Sequence, residues 1–182
     1  DEAGDVMLML KRRLQQHAAQ HHVRYTQVII NHGREAGASL THPHGQLLGL
    51  PFVPGEMIEE ARAFTRFEGG CILCATIEAE LVDEKRVVFA TDDAICISPF
   101  WAGTPFELLI VPRSHDLHLT DSTDDTLKAM GIAIRDSLIA LREIHGDIAY
   151  NLVVHTAPHH YNGAYHWHVH RLPKLVTTAG SE

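Results

Sequence analysis

The chain has 182 residues, 45% of them hydrophobic, enough to bury one ordinary core, or one complete domain with part of another. A formal net charge of -8 and no clustered Lys/Arg run exclude a general nucleic-acid binder. No apolar run approaches the roughly 18 residues of a membrane span, and the acidic residues Asp1 and Asp5 are unlike a secretion signal, so a cytoplasmic protein acting on a small molecule or another protein is expected.

In chain order, Asp5 is expected to cap a helix over about 6–22, with Val6, Met9, Leu10 and Leu14 on its apolar stripe. Residues 23–31 (VRYTQVIIN) read as a strand, 33–39 as a glycine-containing turn, and His42-Pro43-His44-Gly45-Gln46 follows. Pro51 and Pro54 close this region, and 55–67 is helical by pattern. Strands near 86–91, 94–98 and 106–111, a long helix over 124–145, and strands at 149–155 and 166–172 complete the chain. Helices and mostly antiparallel strands are segregated, which predicts an α+β fold. The helix, strand, turn and alternating-histidine order occurs twice, once at His42-x-His44-x-Gln46 and again at His166-x-His168-x-His170.

The main chemical clue is the placement of 15 histidines beside Pro, Gly and strand-like segments. Residues two apart in a strand face one side, so His42, His44 and Gln46 are expected to present two imidazoles and an amide to one ligand. A neutral imidazole can attack phosphorus, and the phosphoramidate so formed leaves readily once protonated. The competing reading is a turn carrying ordinary polar histidines. His166, His168 and His170 likewise share a face, which suggests a metal or phosphate against the alternative of a solvated strand. Cys71-Ile-Leu-Cys74 has the spacing of a structural zinc half-site, with His115 and His166 as the favoured further ligands, while Cys96 reads as core. Glu60 lies in an acidic helix that alone signals only a solvated face, and His155 ends an apolar strand, pointing into a site or capping that strand.

The segment Asn31-His-Gly-Arg-Glu-Ala-Gly-Ala-Ser39-Leu-Thr-His42-Pro-His44-Gly-Gln46 resembles the active-site segment of galactose-1-phosphate uridylyltransferases, within the histidine-triad (HIT-like) superfamily. The stretch from Pro99 to His115, His155-Thr-Ala-Pro158 and His166-Trp-His-Val-His-Arg-Leu-Pro173 extend the resemblance along most of the chain. It implies a HIT-like antiparallel sheet with helices, in which 1–54 is the rear part of one domain and 55–182 a complete second one. It also implies that His44 attacks the α-phosphorus of a UDP-sugar such as UDP-glucose, and that a sugar 1-phosphate resolves the uridylyl-histidine in a ping-pong reaction of galactose metabolism. Gln46 would hold the phosphoryl oxygens, Asn31 and Ser39 would contact the nucleotide phosphates, and His42 would be a zinc ligand. A second metal site, for iron or zinc, would use Glu60, His155, His168 and His170, and a zinc of the kind found in plant relatives would use Cys71, Cys74, His115 and His166.

In the family, the cysteine pair and further histidine that complete the His42 site lie upstream of the segment corresponding to Asp1. A separate polypeptide supplying that N-terminal half, in a homo- or hetero-oligomer, is therefore one expectation. The alternatives to uridylyl transfer are a nucleotide-sugar or dinucleoside-polyphosphate phosphorylase or hydrolase using the same histidine, and a catalytically silent metal-binding half-subunit.

Overall fold

The computed structural model describes residues 1–42 and 44–175. Its helices are α1 (Glu2–Ala18), α2 (Gly55–Arg66), α3 (Ile72–Asp83) and α4 (Asp124–His145), and its strands are β1 (Tyr25–His32), β2 (His44–Leu50), β3 (Val87–Ala90), β4 (Ala94–Ile97), β5 (Leu108–Pro112), β6 (Tyr150–His155) and β7 (His168–Pro173). The strands form one seven-stranded sheet in the order β2-β1-β6-β7-β5-β4-β3, with every neighbouring pair antiparallel. The α+β expectation holds, and the sheet is continuous across residue 54 because β1 pairs directly with β6.

The register divides the sheet into two faces. Val28, Ile110, Leu152, Val154 and Val169 face one side, where they pack with Met7, Leu10 and Leu14 of α1 and Leu127 and Met130 of α4. Burying side chains of this size contributes about 1.5–3 kcal/mol each, so this layer is the main apolar anchor of the sheet. On the other side, α2 and α3 cover β4 and β5 through Met57, Phe64, Leu73 and Ile77 against Ile95, Ile97, Leu109 and Val111. At the β1–β2 end of this second face α2 reaches only the Tyr25–Leu50 part, and Gln27, Ile29, Asn31, His44 and Gln46 beyond it are all partly exposed. Among the described residues no helix is long and apolar enough to cross a membrane.

Three sequence expectations need correction. First, α1 begins at Glu2 because the Asp1 side chain accepts from the Ala3 amide at 3.0 Å, leaving Asp5 inside the first turn. Its buried stripe is Gly4, Met7, Leu10 and Leu14, so Leu10 and Leu14 lie on it as expected, whereas Val6 and Met9, 41% and 51% exposed, do not. Second, α3 was not expected; its apolar residues surround the helix instead of forming one stripe, so the period carries little signal. Third, β2 begins at His44, not before it. β1 continues only to His32, and Gly33 turns away with φ +82°, so there is no partner strand for His42.

Two glycines permit close approach. A Cβ on Gly33 would lie 2.6 Å from the Ala149 Cβ, and one on Gly131 of α4 would lie 2.3 Å from the carbonyl oxygen of Ala3 in α1. Because the obstacle at Gly131 is backbone, Gly131→Ala is expected to force α1 and α4 apart and cost about 2 kcal/mol. A urea midpoint equal to that of the unsubstituted chain would contradict this.

Candidate active site

His44 and Gln46 occupy alternate positions of edge strand β2, and Asn31 of β1 sits directly opposite His44 in the register. The His44 Nδ1 lies 3.3 Å from the His42 carbonyl oxygen, which can only accept, so in the neutral ring Nδ1 carries the proton. The lone pair is then on Nε2, where it accepts a hydrogen bond from the Gln46 side-chain amide at 3.0 Å. A nucleophilic nitrogen and an amide donor are thereby held together on the uncovered part of the sheet.

Asn31 is oriented by a residue the sequence reading did not single out. Asn151 of β6 donates its amide to Asn31 Oδ1 at 2.6 Å and to the Ala36 carbonyl at 2.9 Å, which turns the Asn31 NH2 outward as a free donor. The signal for Asn151 lies in the β1–β6 register, which pairs it with Asn31 across 120 positions. Ser39 is exposed in the loop between β1 and β2. The His42 ring stands 6.4 Å from that of His44, and His42 joins no group of three or more metal-capable side chains among the described residues.

Two such groups do form, and between them they contain the eight other residues expected to bind metal. In the first, the His166 Nδ1 lies 3.6 Å from Cys71 Sγ and 3.5 Å from Cys74 Sγ, and His115 Nδ1 lies 3.4 Å from Cys74 Sγ. Bonds of about 2.3 Å to sulfur and 2.0–2.1 Å to nitrogen at tetrahedral angles imply S···N edges of roughly 3.6 Å, so the four ligands fit zinc. His166 Nε2 donates to the Pro112 carbonyl at 3.0 Å, which fixes the tautomer with its Nδ1 lone pair toward the sulfurs. Burial and the neighbouring Cys71 push the Cys74 thiol up to about 12, and a divalent cation between the sulfurs would reverse that preference.

In the second group, Glu60 from α2 reaches His155 Nδ1 at 3.0 Å and His168 Nε2 at 3.1 Å, and the His170 ring lies 4.7 Å from that of His155. Burial raises the Glu60 pKa, but the hydrogen bonds to His155 and His168 outweigh it and hold the carboxylate ionised well below its usual range. Desolvation lowers His170 to about 3, leaving a neutral ring with a lone pair for a metal. One carboxylate and three imidazoles suit a borderline divalent transition-metal ion.

The alternation of His166, His168 and His170 predicts one strand face for all three. Instead, His166 precedes β7 and turns to the cysteines, while His168 and His170 serve the Glu60 group. Tyr165 and Glu107 support this second group and were also not anticipated. Tyr165 donates to Glu60 Oε2 at 2.5 Å, and buried Glu107 lies 3.4 Å from His170 Nδ1. Tyr165→Phe keeps the ring packing and removes the hydroxyl, so metal affinity at the Glu60 group is expected to fall about 10- to 100-fold. Metal titration of the two proteins checks this, and equal affinities would show that the hydroxyl contributes nothing.

The models of the N-terminal and C-terminal domains of galactose-1-phosphate uridyl transferase match residues 2–54 and 57–180. The chain belongs to the galactose-1-phosphate uridyl transferase family. Within that family it is 28% identical to a galactose-1-phosphate uridylyltransferase of Haemophilus influenzae, over 98% of this chain and 52% of the relative. It is equally similar, at 28% over 98% of this chain and 52% of the relative, to an ADP-glucose phosphorylase of Arabidopsis thaliana. A solved uridylyltransferase structure superposes with a TM-score of 0.87 at 28% identity, covering 99% of this chain and 58% of that one. The chain thus spans about half the length of the curated galactose-1-phosphate uridyl transferase relatives it matches.

Proposed function

We propose that this chain carries the nucleophile of a nucleotidyltransferase, with galactose-1-phosphate uridylyltransferase as the favoured activity. The observation that carries the reading is the His44–Gln46 pair, in which an unprotonated Nε2 and an amide donor face one open surface opposite Asn31. In the first half-reaction Nε2 attacks the α-phosphorus of UDP-glucose. The bond from that phosphorus to the bridging oxygen breaks, and glucose 1-phosphate departs with the electron pair. In the second, a phosphate oxygen of galactose 1-phosphate attacks the same phosphorus, the P–N bond breaks, and the lone pair returns to Nε2. Gln46, released from Nε2 during attack, donates to the phosphoryl oxygens, while Asn31, held by Asn151, and Ser39 donate to the nucleotide phosphates.

Zinc is proposed for Cys71, Cys74, His115 and His166, and zinc or iron for Glu60, His155, His168 and His170; such ions cross-link elements and order the fold around the site. His42 is proposed as a ligand of a further zinc completed by the upstream half of the family's length. The 1–54 and 55–182 units and an oligomer in the cytoplasm are parts of the same reading.

A second reading is a nucleotide-sugar phosphorylase, favoured by the equal similarity to the Arabidopsis ADP-glucose phosphorylase. The deciding experiment incubates the chain, alone and with an N-terminal half, with UDP-glucose or ADP-glucose labelled in the α-phosphate. Acid-labile label from UDP-glucose, discharged faster by galactose 1-phosphate than by phosphate, is expected. Discharge chiefly by phosphate would favour the phosphorylase, and no label from either donor would count against nucleotidyl transfer.

A further inference from the structure

A cavity of about 830 Å³ opens between α2, the start of β1 and the loop around residues 158–162, well away from His44. Arg24 sits beside Tyr25, which pairs with Leu50, whereas His44 pairs with Asn31 at the opposite end of the β1–β2 hairpin. Asn31 lies seven residue steps along the chain from Arg24, roughly 20 Å or more in extended conformation.

The walls of this cavity are strongly biased in charge. Arg24, Arg62 and Arg66 line it together with His21, His159 and His160, and among the described residues no carboxylate does, although the chain as a whole carries a net charge of -8. Only Arg62 has an acidic partner, the exposed Glu59 on its own helix. Among the described residues, the Arg24 and Arg66 side chains take part in no ion pair or hydrogen bond, so two of the residues lining this space carry guanidinium charges without a partner. The floor is apolar, formed by Met57 and Ala61, both buried, with Val53 and Ile58 beside them.

The loop wall is held firmly. The His159 amide donates to the Arg24 carbonyl at 3.0 Å, its imidazole hydrogen-bonds the buried Thr26 hydroxyl at 2.8 Å, and the His160 ring reaches the Ala18 carbonyl at 3.2 Å. His160 is kept at φ +63°, a conformation unfavourable for a residue with a side chain and one that persists only where surrounding contacts enforce it.

We infer that this cavity binds an organic phosphate: a phosphate monoester whose charged end lies between Arg24 and Arg66 and whose ring or apolar body rests on Met57 and Ala61. Guanidinium forks match phosphate oxygens in two-point contacts, and a partly enclosed cavity with an apolar floor and a few charged groups has the general form of a small-molecule site. The site is distinct from the nucleotide position at His44 and is independent of the reading proposed there.

Phenyl phosphate, inorganic phosphate and phenol serve as probes, titrated into the chain by calorimetry. Phenyl phosphate is expected to saturate one site and to bind about ten-fold more tightly than either fragment, because only it engages both floor and arginines. Arg24→Gln with Arg66→Gln should weaken it by about ten-fold or more, the loss expected for two charge-assisted contacts. Both side chains are exposed, so the unfolding midpoint should not move. In the unsubstituted chain, phenyl phosphate should also shield Arg24 and Arg66 from phenylglyoxal, read by mass spectrometry, which locates the site without any variant. Unchanged affinity in the double variant, phenol binding as tightly as phenyl phosphate, or no shielding of these two arginines would overturn the assignment.

Discussion

Replacing His44 by glycine is expected to abolish formation of the covalent nucleotidyl-protein. Among the described residues, no other imidazole shares its combination of an available Nε2 lone pair, an adjacent amide donor and a partly exposed sheet face. A missing nucleophile removes the two-step route altogether, so the fall in transfer rate should be on the order of 10⁴-fold or greater. Gln46→Ala should be milder, at about 10²- to 10³-fold, because it removes one donor to the developing phosphoryl charge and leaves the nucleophile in place. Both positions lie on an edge strand and are only partly buried, so the unfolding midpoint should change little. Acid-labile label retained on His44→Gly at the level of the unsubstituted chain would remove His44 from this role.

The second large effect is expected at the cysteine pair. Cys71→Ser with Cys74→Ser should lower bound zinc by one ion per chain and leave metal at the Glu60 group, since the two ligand sets share no residue. Structural zinc sites contribute much of the folding free energy of small metal-bound units, so a loss of at least about 5 kcal/mol is expected, which would lower the midpoint by roughly 10–20 °C in a chain of this size. The cause is local. Cys71 occupies the N-cap position of α3 and Cys74 lies in its first turn, while His115 and His166 lie beyond β5 and just before β7, so a metal there would add a cross-link to the apolar packing of α3 on the sheet. Metal analysis and thermal unfolding with and without chelator check this, and an unchanged midpoint would mean that the four side chains hold no structural ion.

The sequence revealed local features better than distant ones. The limits of α4 could be read because Thr123 accepts from the Thr126 amide at one end and Gly146 ends the helix at the other. α2 could be read to within one residue, helped by Pro54 before it. The start of α1 was misplaced because Asp1 and Asp5 are both competent caps, and only the structure shows which carboxylate reaches a free amide. α3 lacked a stripe to reveal it. The grouping of Cys71, Cys74, His115 and His166 came from a half-site spacing and a family resemblance, whereas Tyr165, Glu107 and Asn151 had neither. Their partners are set by strand register and packing over separations of up to 120 residues, which no local pattern encodes.

The pairing of β1 with β6 has a consequence for cooperativity. Val28 meets Val154 and Asn31 meets Asn151 in a continuous ladder, so melting the β1–β2 hairpin would strip backbone partners from β6 and uncover the apolar layer beneath it. The segments before and after residue 54 are therefore expected to unfold together. A destabilising change near the start of the chain is transmitted in full to the metal-binding residues at its far end, and the whole should melt in one transition.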